Sequence, residues 1–139
     1  MKPLAVCLLL ASMTLSCGRD RADKVSDRFV DLYFVEIDQK RALPITSGLA
    51  RGKLEQELGL VEGVRREYSP EQAKPSIFYV RRSFEESDGH ARASYDITIR
   101  QDRDETHRNA LISLAHEEGH WSVANFVIGE GFSPARPAK

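Results

Sequence analysis

The chain has 139 residues, with 20 Lys and Arg against 21 Asp and Glu, a formal net charge of −1 and 41% hydrophobic residues. That length supports one domain with a core of its own, and not two. Charges of both signs are interspersed, which leaves no basic patch of the kind nucleic acid requires.

Lys2 precedes the apolar run Leu4-Ala5-Val6-Cys7-Leu8-Leu9-Leu10-Ala11, and Met13-Thr14-Leu15-Ser16 leads to Cys17. A basic start, an apolar centre and a small-residue cleavage region are the order of a secretory signal. The segment resembles the bacterial lipobox, with Leu15 and Ser16 in fitting places and Thr14 where Leu is usual. The resemblance implies that the Cys17 thiol carries diacylglycerol and that cleavage makes Cys17 the new N-terminus. Residues 1–16 are then a lipoprotein signal peptide, and 17–23 a short lipidated tether. Length argues against a transmembrane anchor, because Leu4 to Ser16 falls short of the roughly 18–20 apolar residues that span a bilayer. Plain secretion, with Cys17 a bystander, is the alternative. The same resemblance to bacterial lipoproteins implies, with Gly18 rather than Asp after the cysteine, the outer membrane over the inner one. Cys7 leaves with the signal, so no disulfide is expected and stability must come from packing.

From Lys24 to Asp38, Val25, Phe29, Leu32 and Val35 recur at helical spacing, with Ser26 and Asp27 as candidate caps. Pro44 suits the first turn of a new helix. One or two further helices are expected over Ile45–Arg51 and Lys53–Arg66, the second carrying Leu54, Leu58, Val61 and Val64. Their glycines cost up to about 1 kcal/mol each. Tyr68–Pro75 reads as a loop. Ile77-Phe78-Tyr79-Val80 is β-rich, and Ser87-Asp88-Gly89 is a hairpin turn signal. Ala91, Ala93, Tyr95, Ile97 and Ile99 alternate with Arg92, Ser94, Asp96, Thr98 and Arg100, the pattern of a strand with one wet face. Gln101–Glu105 reads as a charged connection, after which Ala110, Ile112 and Leu114 resume the alternation. Glu117-Glu118-Gly119 is the next turn, Trp121–Ile128 the last strand, and 131–139 a disordered tail.

Helices followed by an antiparallel meander give an α+β order over residues 24–130, a single domain with N-terminal helices packed on a curved antiparallel sheet. With its closing Glu118-Gly119-His120-Trp121-Ser122-Val123-Ala124-Asn125-Phe126, the arrangement resembles the nuclear-transport-factor-2-like cone. That family hosts both isomerase-type enzymes and non-catalytic binding modules, so the resemblance alone assigns no function.

His116-Glu117-Glu118-Gly119-His120 matches H-E-x-x-H. On a helix this spacing lets two imidazoles share a zinc ion, with the first Glu as general base. The segment also resembles the active-site helix of some membrane-associated zinc peptidases. Three features oppose that reading. Gly119 weakens a helix, the flanking residues alternate as strands, and the third ligand is missing. Phe126 stands where the extended motif places a His, and Glu130 is the sole downstream carboxylate. A turn is the expectation, with no metal, cofactor or catalytic residue assigned. An isomerase-like alternative would draw on Asp31, Tyr33, Tyr79, Tyr95 and Asp96. Asp96 and Tyr95 fall on opposite strand faces, however, and Trp121 reads as a core anchor. Arg65-Arg66 and Arg81-Arg82 read as solvated charge within reach of anionic headgroups.

The sequence therefore points to a lipid-anchored, non-enzymatic envelope protein held to the membrane through Cys17. It would bind a small apolar ligand or a partner protein on the concave face of the sheet. The second and third alternatives are the zinc peptidase and a small cofactor-free isomerase.

Overall fold

A computed structural model describes residues 20–64 and 74–131. The signal peptide, Cys17-Gly18-Arg19 of the tether, the Arg65-Arg66 pair, most of the 68–75 loop and nearly all of the tail lie outside the described residues. No described helix is long and apolar enough to cross a membrane.

Helix α1 spans Ala22–Val30 and widens into a π turn over Asp31–Val35. A short helix α2, Gln39–Ala42, is capped by the Asp38 side chain accepting from the Arg41 N–H, and a 3-10 turn, Leu43–Ile45, carries Pro44. Helix α3, Gly48–Val64, is continuous where two pieces were equally open. Strands β1 (Ser76–Ser87), β2 (His90–Gln101), β3 (Asp104–Glu117) and β4 (His120–Glu130) form one antiparallel sheet in the order β1-β2-β3-β4. The α+β expectation holds: helices come first, and a meander follows.

Two of the hairpins owe their tightness to turn chemistry. Asp88 and Gly89 (φ +49° and +73°) close β1 on β2, and Glu118 and Gly119 (φ +51° and +82°) close β3 on β4. Positive φ at both central residues matches the right-handed twist of the flanking strands, and glycine reaches it without a Cβ penalty.

The helices cover one face of the sheet. Phe29 and Val30 of α1, Leu32 and Phe34 of the π turn, and Leu54 of α3 are buried there. They meet Ala93, Tyr95 and Ile97 of β2, Ala110, Ile112 and Leu114 of β3, and Val123 and Phe126 of β4. Phe29, Tyr33 and Phe126 form an aromatic cluster with ring centroids 5.0–5.5 Å apart. Lys53 ties α3 to β4 by donating to the Asn125 side chain (2.9 Å) and the Phe126 carbonyl (2.7 Å).

Three local expectations are corrected. The first helix begins at Ala22, inside the stretch read as tether, because Ala22 and Asp23 are buried against the domain. Ser26 and Asp27 are not caps. They lie within α1 and turn toward β2, where Tyr95 engages both. The charged connection at Gln101–Glu105 is in fact strand on both sides of an Asp102-Arg103 turn, since Gln101 pairs with Asp104 and Arg100 with Glu105. Polarity misled there because the ends of both strands are solvated.

Candidate functional site

The H-E-x-x-H string lies on the β3–β4 hairpin, not on a helix. Glu117 pairs with His120 and His116 with Trp121. Paired residues share a face and successive residues alternate, so His116 and His120 project to opposite sides of the sheet. The His116 ring rests 5.1 Å from Trp121, while His120 lines a cleft with Glu117, Glu118, Ser47 and Arg51. The geometry that lets one metal take both imidazoles is replaced by one that separates them. Among the described residues, no group of three or more His, Cys, Asp and Glu side chains is placed to hold a metal ion. Trp121 is half-buried at the core margin.

Of the isomerase candidates, the structure brings Tyr79 and Tyr95 together, ring centroids 5.7 Å apart with Asp31 beside Tyr79, and leaves Tyr33 and Asp96 elsewhere. The Tyr33 hydroxyl donates to Glu57 at 2.9 Å, and burial together with that bond raises its pKa. The Tyr95 hydroxyl lies 2.7 Å from Ser26 Oγ and 2.8 Å from Asp27 Oδ1, and burial is the main cause of its raised pKa. Tyr79 is pushed up to about 12 by burial and by the nearby Asp31 carboxylate. Asp96 points to the other face and pairs with Arg82 at 2.5 Å. The Tyr95 and Tyr79 contacts join helix to sheet, and the Tyr33–Glu57 bond joins the π turn to α3. Arg81 is likewise not simply solvated: it reaches Asp27 at 3.0 Å and the Asp23 carboxylate at 3.9 Å.

The sheet face away from the helices has no covering layer among the described residues. Its residues follow from the register. Phe78 and Val80 of β1 sit opposite Thr98 and Asp96 of β2, which face His107 and Asn109 of β3. Ser94 sits opposite Leu111, and Leu111 opposite Val127 of β4. The result is two apolar flanks, Phe78 with Val80 and Leu111 with Val127, on either side of a polar column along β2. Phe78 and Val80 are each 54% exposed, Val127 53% and Leu111 37%. Two open clefts run over this face and share Arg82 and Asp96 at their boundary.

Two arginines of this face are balanced by neighbouring carboxylates. Arg82 is spent on Asp96. Arg100 bonds Glu105 at 2.6 Å, which holds the Glu105 carboxyl below the usual range, and the Arg100 guanidinium lies over the Phe78 ring. Glu105 also meets His107 Nε2 at 3.1 Å, and His107 Nδ1 lies 3.4 Å from Thr98 Oγ1. This chain of hydroxyl, imidazole and carboxylate has the order of a nucleophile–base–orienter set. β2 is an interior strand whose N–H groups serve the ladder, so none of that strand's N–H groups is aimed at an oxyanion. The sequence reading missed Leu111 and Val127 as a surface pair. The available signal was their position out of phase with Ala110, Ile112 and Leu114.

The fold and site define an α+β domain with one sheet face filled by helices and the other left open. Comparison with protein families, with curated proteins and with solved structures finds no match.

Proposed function

We propose that this is a lipid-anchored, non-enzymatic envelope domain that takes a partner protein on the open face of its sheet. The observation that carries the reading is the pair of exposed apolar flanks, Phe78 with Val80 and Leu111 with Val127, on one open sheet face. Apolar groups exposed together on a surface mark interaction sites. With four exposed apolar side chains, the face suits a protein surface that presents apolar side chains of its own. A small apolar ligand is a weaker fit, since these clefts are open and binding of such ligands favours enclosure. The concave-side site expected from the sequence moves to the opposite face, because Phe29, Tyr95 and Phe126 fill the helix-covered side. Resemblance to the nuclear-transport-factor-2-like cone fits this arrangement of helices and sheet, and Cys17 supplies the anchor.

A photo-reactive residue at Leu111, compared with one at Arg28 on α1, tests the proposal in cells making the full chain. A discrete adduct formed from Leu111 and not from Arg28, and lost on Val80→Glu, is the expected result. Equal labelling from both positions, or an adduct insensitive to Val80→Glu, contradicts it.

A further inference from the structure

Strand β1 has β2 on one side and, among the described residues, no strand on the other. The far edge of the sheet is different. There Thr46 bridges Val123, and the Ser47 N–H donates to the Val123 carbonyl, so the chain before α3 partly closes β4. An open edge is a template for another strand.

The β1 edge also carries a charge order that complements itself when reversed: Arg81-Arg82-Ser83-Phe84-Glu85-Glu86. The ladder to β2 shifts register between Arg81 and Ser83, leaving Arg82 as the extra residue of a bulge. Arg81, Phe84 and Glu86 sit opposite Tyr95, Ala93 and Ala91, all on the helix-covered face. Ser83 and Glu85 sit opposite Ser94 and Arg92, on the open face. Two antiparallel copies with Phe84 on a two-fold axis bring Phe84 to Phe84 of the second copy, Ser83 to Glu85 and, with each Arg82 bulged, Arg81 to Glu86. Every pair then joins residues of the same face, as an antiparallel ladder requires. Without the bulge, the Arg81–Glu86 pairing would join opposite faces.

Among the described residues, Glu85 and Glu86 have no ion-pair partner within the chain. Arg81 and Arg82 do have partners, but a guanidinium carries five N–H donors and can serve a second carboxylate. We infer that β1 pairs antiparallel with β1 of a second copy about an axis at Phe84. This joins the two sheets into one, with both sets of helices on the same side. The pairing leaves Leu111 and Val127 uncovered, so it stands apart from the partner reading above. Bulges and edge charges also serve to blunt strands against pairing, and the experiment separates these two uses.

The full chain, with Cys7 and Cys17 changed to Ser, is given a single new cysteine, Phe84→Cys, and mildly oxidised. The expected result is a disulfide-linked pair forming about tenfold faster than with Ser113→Cys on the open face, since directly opposed positions fall within disulfide reach. Linking at equal rates overturns the inference. Phe84 is half-buried, so a second variant protects the test against misfolding. Glu86→Arg alters an exposed side chain twice per pair, and is expected to weaken the dimer seen by sedimentation about tenfold. A chain that sediments as a monomer throughout the micromolar range, or a dimer indifferent to Glu86→Arg, also overturns it.

Discussion

The hydroxyl of Tyr95 sits 2.8 Å from the Asp27 carboxylate of α1 and 2.7 Å from the hydroxyl of Ser26, fastening the first helix to the middle of the sheet. Tyr95 is only 1% exposed, so neither it nor the fully buried Ser26 can turn to water for a replacement partner. Tyr95→Phe keeps the ring and strands Ser26. We expect it to cost about 1–3 kcal/mol, the penalty for an unsatisfied buried polar group. Urea unfolding checks this: the midpoint falls while the slope is unchanged.

The same contacts make the fold sensitive to alkali. Tyr79 is pushed from 10.0 up to about 12, and Tyr33 and Tyr95 are raised in the same direction. The native state therefore keeps protons that the unfolded chain gives up. The associated stability is fully present below pH 10.0 and is lost as pH rises through about 12. Ultraviolet titration should show most tyrosinate appearing together with unfolding. Ionisation of all tyrosines near their ordinary value in a folded chain would contradict these contacts.

The hairpin placement of His116 and His120 has an optical signature, because Trp121 is the chain's single tryptophan. His116→Ala removes a ring 5.1 Å from the indole and should shift its emission. His120 lies on the other face despite being next to Trp121 in sequence, so His120→Ala should leave the emission nearly unchanged. Added zinc should not raise the melting temperature, since one ion cannot take both imidazoles. Equal responses to the two substitutions, together with zinc stabilisation, would restore the helical metal-site reading.

How far the sequence spoke can be judged at particular residues. The alternation from Ala91 to Ile99 gave β2 with its faces correctly assigned, because half-burial writes a period of two directly into composition. Gly89 and Gly119 located two turns for the same direct reason. Ala22 and Asp23 were misread as tether, since nothing local distinguishes a polar helix end that docks from one that does not. The open face was harder still. Leu111 and Val127 look like core residues in sequence, and their exposure depends on which side the helices occupy, a tertiary fact. Tyr95 read correctly as core, but its link to Ser26 and Asp27 spans a sequence separation that no local pattern encodes.

Cys17 carries the localisation proposal. Cys17→Ser should abolish incorporation of labelled fatty acid and move the chain from the membrane to the aqueous fraction. Continued labelling of that variant would remove the anchor.

The most direct test of the open face as a partner surface is hydroxyl-radical footprinting of the full chain in intact envelopes, compared with the purified chain. Leu111 and Val127 are the reporters, with the exposed Leu49 and Leu60 of α3 as internal controls. The account predicts that Leu111 and Val127 react in the purified chain and are protected in envelopes, while Leu49 and Leu60 react alike in both. Unchanged labelling of Leu111 and Val127 between the two preparations would contradict it.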